Sequence, residues 1–159
     1  MAAFFGLLAA PLGCKKEEEP EDMAVPRLHA ETRSARYGSM TTRVMTLPVS
    51  GTQITVREEP LVNEFDIRNV EMVEVELGPA LLLQVSEKAA RALYRQSVGN
   101  RGRRIVLTVN ANPVGARRVN QVIDDGNFYT FVEVPDEKLE ELVLELRETV
   151  EYLRANREG

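Results

Sequence analysis

Tryptophan is absent from this chain of 159 residues, cysteine and histidine occur once each, and aromatic residues make up 6% of it. With Cys14 alone, no intramolecular disulfide can form. His29 stands between Pro20, Pro26, Ser34, Gly38 and Ser39 in a stretch without apolar periodicity. No positioned catalytic or metal-binding partner is therefore expected for it. Glycine-rich phosphate loops, nucleophile-histidine pairs and clusters of metal ligands are missing as well. The chain accordingly reads as a non-enzymatic protein with no cofactor and no metal. A net charge of -5 and a pI near 5.1 argue against nucleic acid as the main partner, since neutralising phosphates needs a basic surface. No segment after Cys14 approaches the roughly 20 apolar residues of a spanning helix.

What is present begins with a short apolar run, residues 2–10, followed by Pro11-Leu12-Gly13-Cys14 and the charged stretch Lys15-Lys16-Glu17-Glu18-Glu19-Pro20-Glu21-Asp22. The run has the character of a signal-peptide core. A lone cysteine after a small residue, between an apolar run and a charged stretch, resembles a bacterial lipobox. The resemblance implies a signal peptide over residues 1–13, acylation of Cys14 and attachment to a membrane through that lipid. Residues 14–40 then read as a flexible acidic tether, because their composition cannot bury enough apolar area to order itself. On this reading a chain beginning at Thr41 keeps its fold.

The folded domain is expected over residues 41–157. Met45, Leu47 and Val49 alternate before the turn Ser50-Gly51-Thr52, and Ile54 and Val56 alternate after it, which predicts a β-hairpin. A short turn carrying Leu61, Phe65 and Ile67 inward comes next. A strand from Val70, a break at Gly78-Pro79 and an apolar central strand to Val85 follow. Ser86 is an N-cap for a helix with Ala90, Leu93, Tyr94, Ser97 and Val98 on its buried face, closed by Gly99 as a left-handed stop. Strands are expected at 104–109, at 114–119 after the Asn110-Ala111 turn, and at 128–134. Adjacent Phe128 and Tyr129 must face opposite sides of their strand, one in the core and one partly exposed. Asp124-Asp125 reads as a turn before Gly126 and not as a cation site. The last helix starts at Asp136, with Leu139, Leu142, Val143, Leu146, Val150 and Leu153 at helical spacing. The fold class is α+β: a small antiparallel or mixed sheet with two helices packed on one face, a β-α-β-β-α core of ferredoxin-like kind preceded by the hairpin.

Charge is uneven along this domain. From Ser86 to Arg118 eight basic residues face Glu87 alone, whereas from Glu133 to the C-terminus nine acidic residues face four basic ones. Lys88, Arg91 and Arg95 recur at spacings of three and four and form one exposed basic stripe, which Arg101, Arg103 and Arg104 extend. These six are the candidate partner-binding residues. Tyr94, Phe128, Tyr129 and Phe131 are the aromatics available for a binding platform, and their spacing assigns them chiefly to packing.

The run Leu83-Gln84-Val85-Ser86-Glu87-Lys88-Ala89-Ala90-Arg91-Ala92-Leu93-Tyr94, the strand at 104–109, the pattern Val119, Ile123, Gly126 and the closing helix resemble the head of the first large periplasmic domain of SecD, the accessory subunit of the Sec translocase. Val44-Met45-Thr46-Leu47-Pro48 and Pro60-Leu61 before Asp66-Ile67 are similar to the segment leading into that head. The resemblance implies a SecD-head-like domain in the cell envelope that contacts polypeptide or translocase components. The proton-driven motor, which in that family resides in transmembrane helices, is not implied. The alternative is a structural or assembly factor of the envelope with no ligand.

Overall fold

The computed structural model describes residues 23–33 and 41–157; Cys14, the expected signal peptide and most of the expected tether lie outside them. The strands are β1 (Pro26–Ala30), β2 (Thr42–Thr46), β3 (Gln53–Arg57), β4 (Ile67–Val75), β5 (Gly78–Val85), β6 (Arg104–Val109), β7 (Asn112–Arg118) and β8 (Asn127–Thr130). A 3-10 turn occupies Glu64–Asp66, and the helices are α1 (Glu87–Gly99) and α2 (Asp136–Arg157).

Three hairpins supply most of the sheet, each from its own turn chemistry. Thr46 pairs with Gln53 across a loop in which Gly51 takes φ +67°. Val75 pairs with Gly78 across the two-residue loop Glu76-Leu77, so Gly78-Pro79 begins β5 and is not the break between strands. Asn110 and Ala111 both adopt positive φ, 50° and 66°, the backbone that a two-residue loop needs to match the twist of β6 and β7. The pairings are antiparallel and give the orders β1-β6-β7, β2-β3 and β4-β5-β8. Isolated bridges join these pieces at Glu31 with Val56, Leu28 with Val62, and Gly115 with Val132.

Two apolar cores follow from the alternation of side chains along the strands. Leu28, Ile105 and Leu107 point to the helix side, where they join Leu81, Leu83, Phe128, Leu93 of α1 and Leu146 of α2 in the larger core. Fully burying each of these is worth about 1.5–3 kcal/mol. Val106 faces the other way, and the β2-β3 hairpin covers it with Met45, Leu47, Ile54 and Val56. Both helices pack into the larger core, so the expected α+β class with two helices on one face is what the chain forms.

Local differences from the expected pattern have identifiable causes. The Ser86 hydroxyl caps α1 by accepting from the Ala89 amide at 3.3 Å, and it donates to Asp66 Oδ1 at 2.9 Å. That second bond helps set the roll of the helix: the buried face is Ala89, Leu93, Gln96 and Ser97, while Tyr94 and Val98 are half exposed. The helix runs through Gly99, and the left-handed glycine is Gly102 at φ +78°. Phe65 is exposed, because the 3-10 turn directs Asp66 inward as the partner of Ser86. β8 ends at Thr130, and the chain then changes partners, with the Glu133 amide donating to Val114 O at 2.7 Å.

The largest difference concerns the expected tether. Pro26–Ala30 is a strand paired residue by residue with β6, from Pro26 against Val109 to Ala30 against Ile105. Leu28 is wholly buried, and the Ala24 amide donates to Thr149 Oγ1 of α2 at 2.9 Å. Prolines and charges on either side concealed a five-residue strand whose inward set is short. Removing residues up to 40 is therefore expected to abolish cooperative thermal unfolding. Leu28→Ala in the full chain is expected to cost about 2–5 kcal/mol in denaturant titration. A truncated chain that melts like the full one would contradict β1 as part of the core.

Candidate functional site

The six basic residues expected to form one stripe are not equivalent. Lys88 lies 3.6 Å from Asp66 Oδ2, and Arg91 lies 3.9 Å from Glu87 Oε2 one turn before it. Arg95 and Arg101 are exposed, and Arg103 is half-buried. Arg104 belongs to the fold. Its Nη2 meets Glu31 Oε1 at 2.7 Å, its Nε meets Oε2 at 3.1 Å, and its own amide donates to Oε2 at 2.7 Å. This forked pair ties the end of β1 to β6, as guanidinium geometry favours.

A site of different composition lies between β7 and β8. There Val75, Leu77, Ala80, Tyr129 and Phe131 line an open groove of about 640 Å³, whose lining Ala116, Thr130 and the polar Glu76, Arg117 and Arg118 complete. The lining is mostly apolar and large side chains stand free in it: Leu77 is 85% exposed, Phe131 43% and Tyr129 36%. Phe128, by contrast, is sealed in the core, so the two adjacent aromatics divide as alternation requires. The Arg117 guanidinium donates to the Tyr129 carbonyl at 3.3 Å across the groove. A concave apolar surface with a few placed polar groups is the usual form of a binding site, and patches of exposed large apolar residues mark interaction surfaces.

Sequence reasoning considered Tyr129 and Phe131 but not Val75, Leu77, Ala80, Arg117 or Arg118 as a set. One signal was available: Leu77 is a large apolar residue inside a two-residue hairpin loop, where small or polar residues are usual. The other contributors come from distant parts of the chain. Asp124-Asp125 is a turn, with Asp125 Oδ1 accepting from the Asn127 amide at 3.0 Å. Among the described residues no group of three His, Cys, Asp or Glu side chains is placed to hold a metal, and no helix is long and apolar enough to cross a membrane.

Outside the groove Glu31, Glu64 and His29 are tied into the fold. Glu31 is held below the usual carboxylate range by its hydrogen bond from Arg104, and Glu64 likewise by Arg27, whose Nε lies 2.6 Å away. His29 is buried in β1, its Nδ1 3.0 Å from Arg57 O. Burial pushes the imidazole below its ordinary value, and the charges of Arg43 and Arg27 push it in the same direction.

No protein-family model matches the chain, and no curated protein matches its sequence. Among solved structures it is similar to a membrane component, SecDF, that enhances protein export: the TM-score is 0.57 at 16% identity, over 79% of this chain and 63% of that one. It is also similar to SecDF in a super-membrane-facing form, with a TM-score of 0.57 at 16% identity over 79% of this chain and 19% of that one. The described domain shares its fold with part of SecDF. This chain spans 63% and 19% of those two proteins, and at this identity the likeness is one of fold.

The buried histidine gives a pH dependence with a definite sign. The unfolded chain takes up a proton at His29 near the ordinary 6.5, and the folded chain only at lower pH. In that window the unfolded state binds more protons, so stability falls as pH drops below 6.5. Below 4.5 the stabilisation from Glu31 and Glu64 is lost in turn as their folded values are crossed. Melting temperatures measured across pH should show both declines, and His29→Gln should remove the first alone. A first decline unchanged in His29→Gln would assign it to another group.

Proposed function

We propose that this is a lipid-anchored cell-envelope protein whose SecDF-like domain binds segments of unfolded polypeptide, or of translocase components, in the groove between β7 and β8. The observation that carries the reading is the exposed apolar groove in a fold shared with part of a protein that enhances protein export. The described domain has no helix able to cross a membrane, so the proposal concerns binding and not proton-driven movement. Cys14 supplies the lipid anchor, which two or more acyl chains make stable. Lys88, Arg91, Arg95, Arg101 and Arg103 add a positive field that speeds encounter with acidic segments, while Arg104 is held by Glu31 and contributes little to it.

The test is fluorescence anisotropy with a labelled unfolded secretory precursor. Leu77→Asp and Phe131→Asp each place a carboxylate on the apolar wall and are expected to weaken binding roughly tenfold or more. Both side chains are partly or largely exposed, so circular dichroism should report an unchanged fold. Arg91→Glu with Arg95→Glu should slow association at low salt and leave dissociation nearly unchanged. Undiminished affinity in both groove variants would move the site elsewhere, and no binding by the unaltered protein would favour an assembly factor without a ligand. For the anchor, Cys14→Ser is expected to release the protein from membranes into the soluble fraction.

A further inference from the structure

The groove lies between two strand edges that separate. β8 pairs with β5 from Thr130 against Leu81 to Asn127 against Gln84. On its other side, contact with β7 begins only after the strand has ended, at Val132 opposite Gly115. β7 pairs with β6 through Arg118, and for residues 116–118 no strand stands on the second side among the described residues. From the Gly115–Val132 bridge the two edges diverge, and the groove is the space between them.

Antiparallel strands direct their amide and carbonyl groups alternately to either side. The Tyr129 carbonyl is directed toward β7, because it is met there by the Arg117 guanidinium at 3.3 Å. β8 thus offers a backbone edge whose acceptor is occupied by a side chain instead of a neighbouring strand. A charged side chain placed along an open edge is a recognised way of keeping that edge from pairing with other copies. It is also a contact that an incoming amide can replace.

We propose that the groove takes its polypeptide as an added β-strand paired with the free edge of β8 at Tyr129. This rests on the reading of the groove as a polypeptide site and specifies the occupant: an extended segment of alternating apolar residues with a carboxylate near one end. Its apolar side chains, which share one face of the strand, settle beside Phe131 and the exposed Leu77. Its backbone amide replaces Arg117 at the Tyr129 carbonyl, and the freed guanidinium, with Arg118 beside it, meets the carboxylate. A volume of about 640 Å³ accommodates such a segment of about four to five residues. Affinity from main-chain bonds and selectivity from alternate side chains is the established logic of strand addition.

The experiment uses the full chain and three synthetic peptides of one sequence, alternating valine and threonine and ending in two aspartates. One peptide is unmodified, one is N-methylated at every second residue, and one is N-methylated at the intervening residues. N-methylation removes an amide donor and leaves the side chain. The unmodified peptide and one methylated peptide are expected to bind alike, with the other methylated peptide weaker by about tenfold or more. Hydrogen exchange at the Tyr129 amide should slow on binding. Equal binding by all three peptides would overturn strand addition and leave the groove as an apolar site. Equal loss with both methylated peptides would show a steric effect and also overturn it. Binding by none of the three would remove the groove as a polypeptide site and the inference with it.

Discussion

At Gly115 the backbone of β7 meets that of Phe131 and Val132 so closely that a Cβ would collide with the Phe131 carbonyl. The chain leaving β8 can return to β7 because glycine stands there, and among the described residues the bridge so formed joins the sheet containing β5 to the sheet containing β6 at one place. Two sheets joined along their full length would leave no cleft. Joined at a single bridge, they splay, and the splay exposes Tyr129, Phe131 and the Glu76-Leu77 loop around a common space. The groove is therefore a consequence of strand topology, and no loop insertion is needed to build it.

The same economy of ties holds the rest of the domain. β1 is five residues long, yet it pairs with β6 along its length, meets Val62 and the hairpin through bridges on its other edge, and is pinned by charge at both ends. Arg27 grips Glu64 beside the 3-10 turn, and Glu31 grips Arg104 at the start of β6. Partly buried forked pairs of this kind fix register more than they add stability. Register matters here because a one-residue slip of β1 would turn Leu28 out of the larger core and bring Arg27 and His29 into it. The hairpin β2-β3 then closes over the opposite face with its own small core around Val56 and Val106.

Much of this architecture was legible from residue spacing, and where it was not the reasons are physical. α2 announced itself because its apolar residues from Leu139 to Leu153 repeat over about four turns, and β6 because branched residues run unbroken between turn signals. β1 stayed hidden: a strand that inserts only Leu28 into the larger core carries too short a pattern to stand out beside Pro20 and Pro26. The buried face of α1 departs from its apolar spacing because polar Gln96 and Ser97 turn inward, Ser97 accepting from the Ile123 amide at 2.9 Å, while Tyr94 and Val98 stay half exposed. The basic stripe was visible as a spacing, but whether an arginine is free depends on partners such as Glu31, which lies 73 residues from Arg104. The groove draws on residues 75–80, 116–118 and 129–131, which only the pairing of strands brings together.

In the proposed complex the polypeptide sits between β7 and β8 and not on the basic helix. Amide spectra of isotopically labelled protein, recorded while an unfolded secretory polypeptide is titrated in, decide between the two. Shifts are expected to concentrate at Leu77, Arg117, Tyr129 and Phe131, with α1 changing only through the weak effect of bound charge. Shifts concentrated at Lys88, Arg91 and Arg95, with the groove amides unmoved, would contradict that placement.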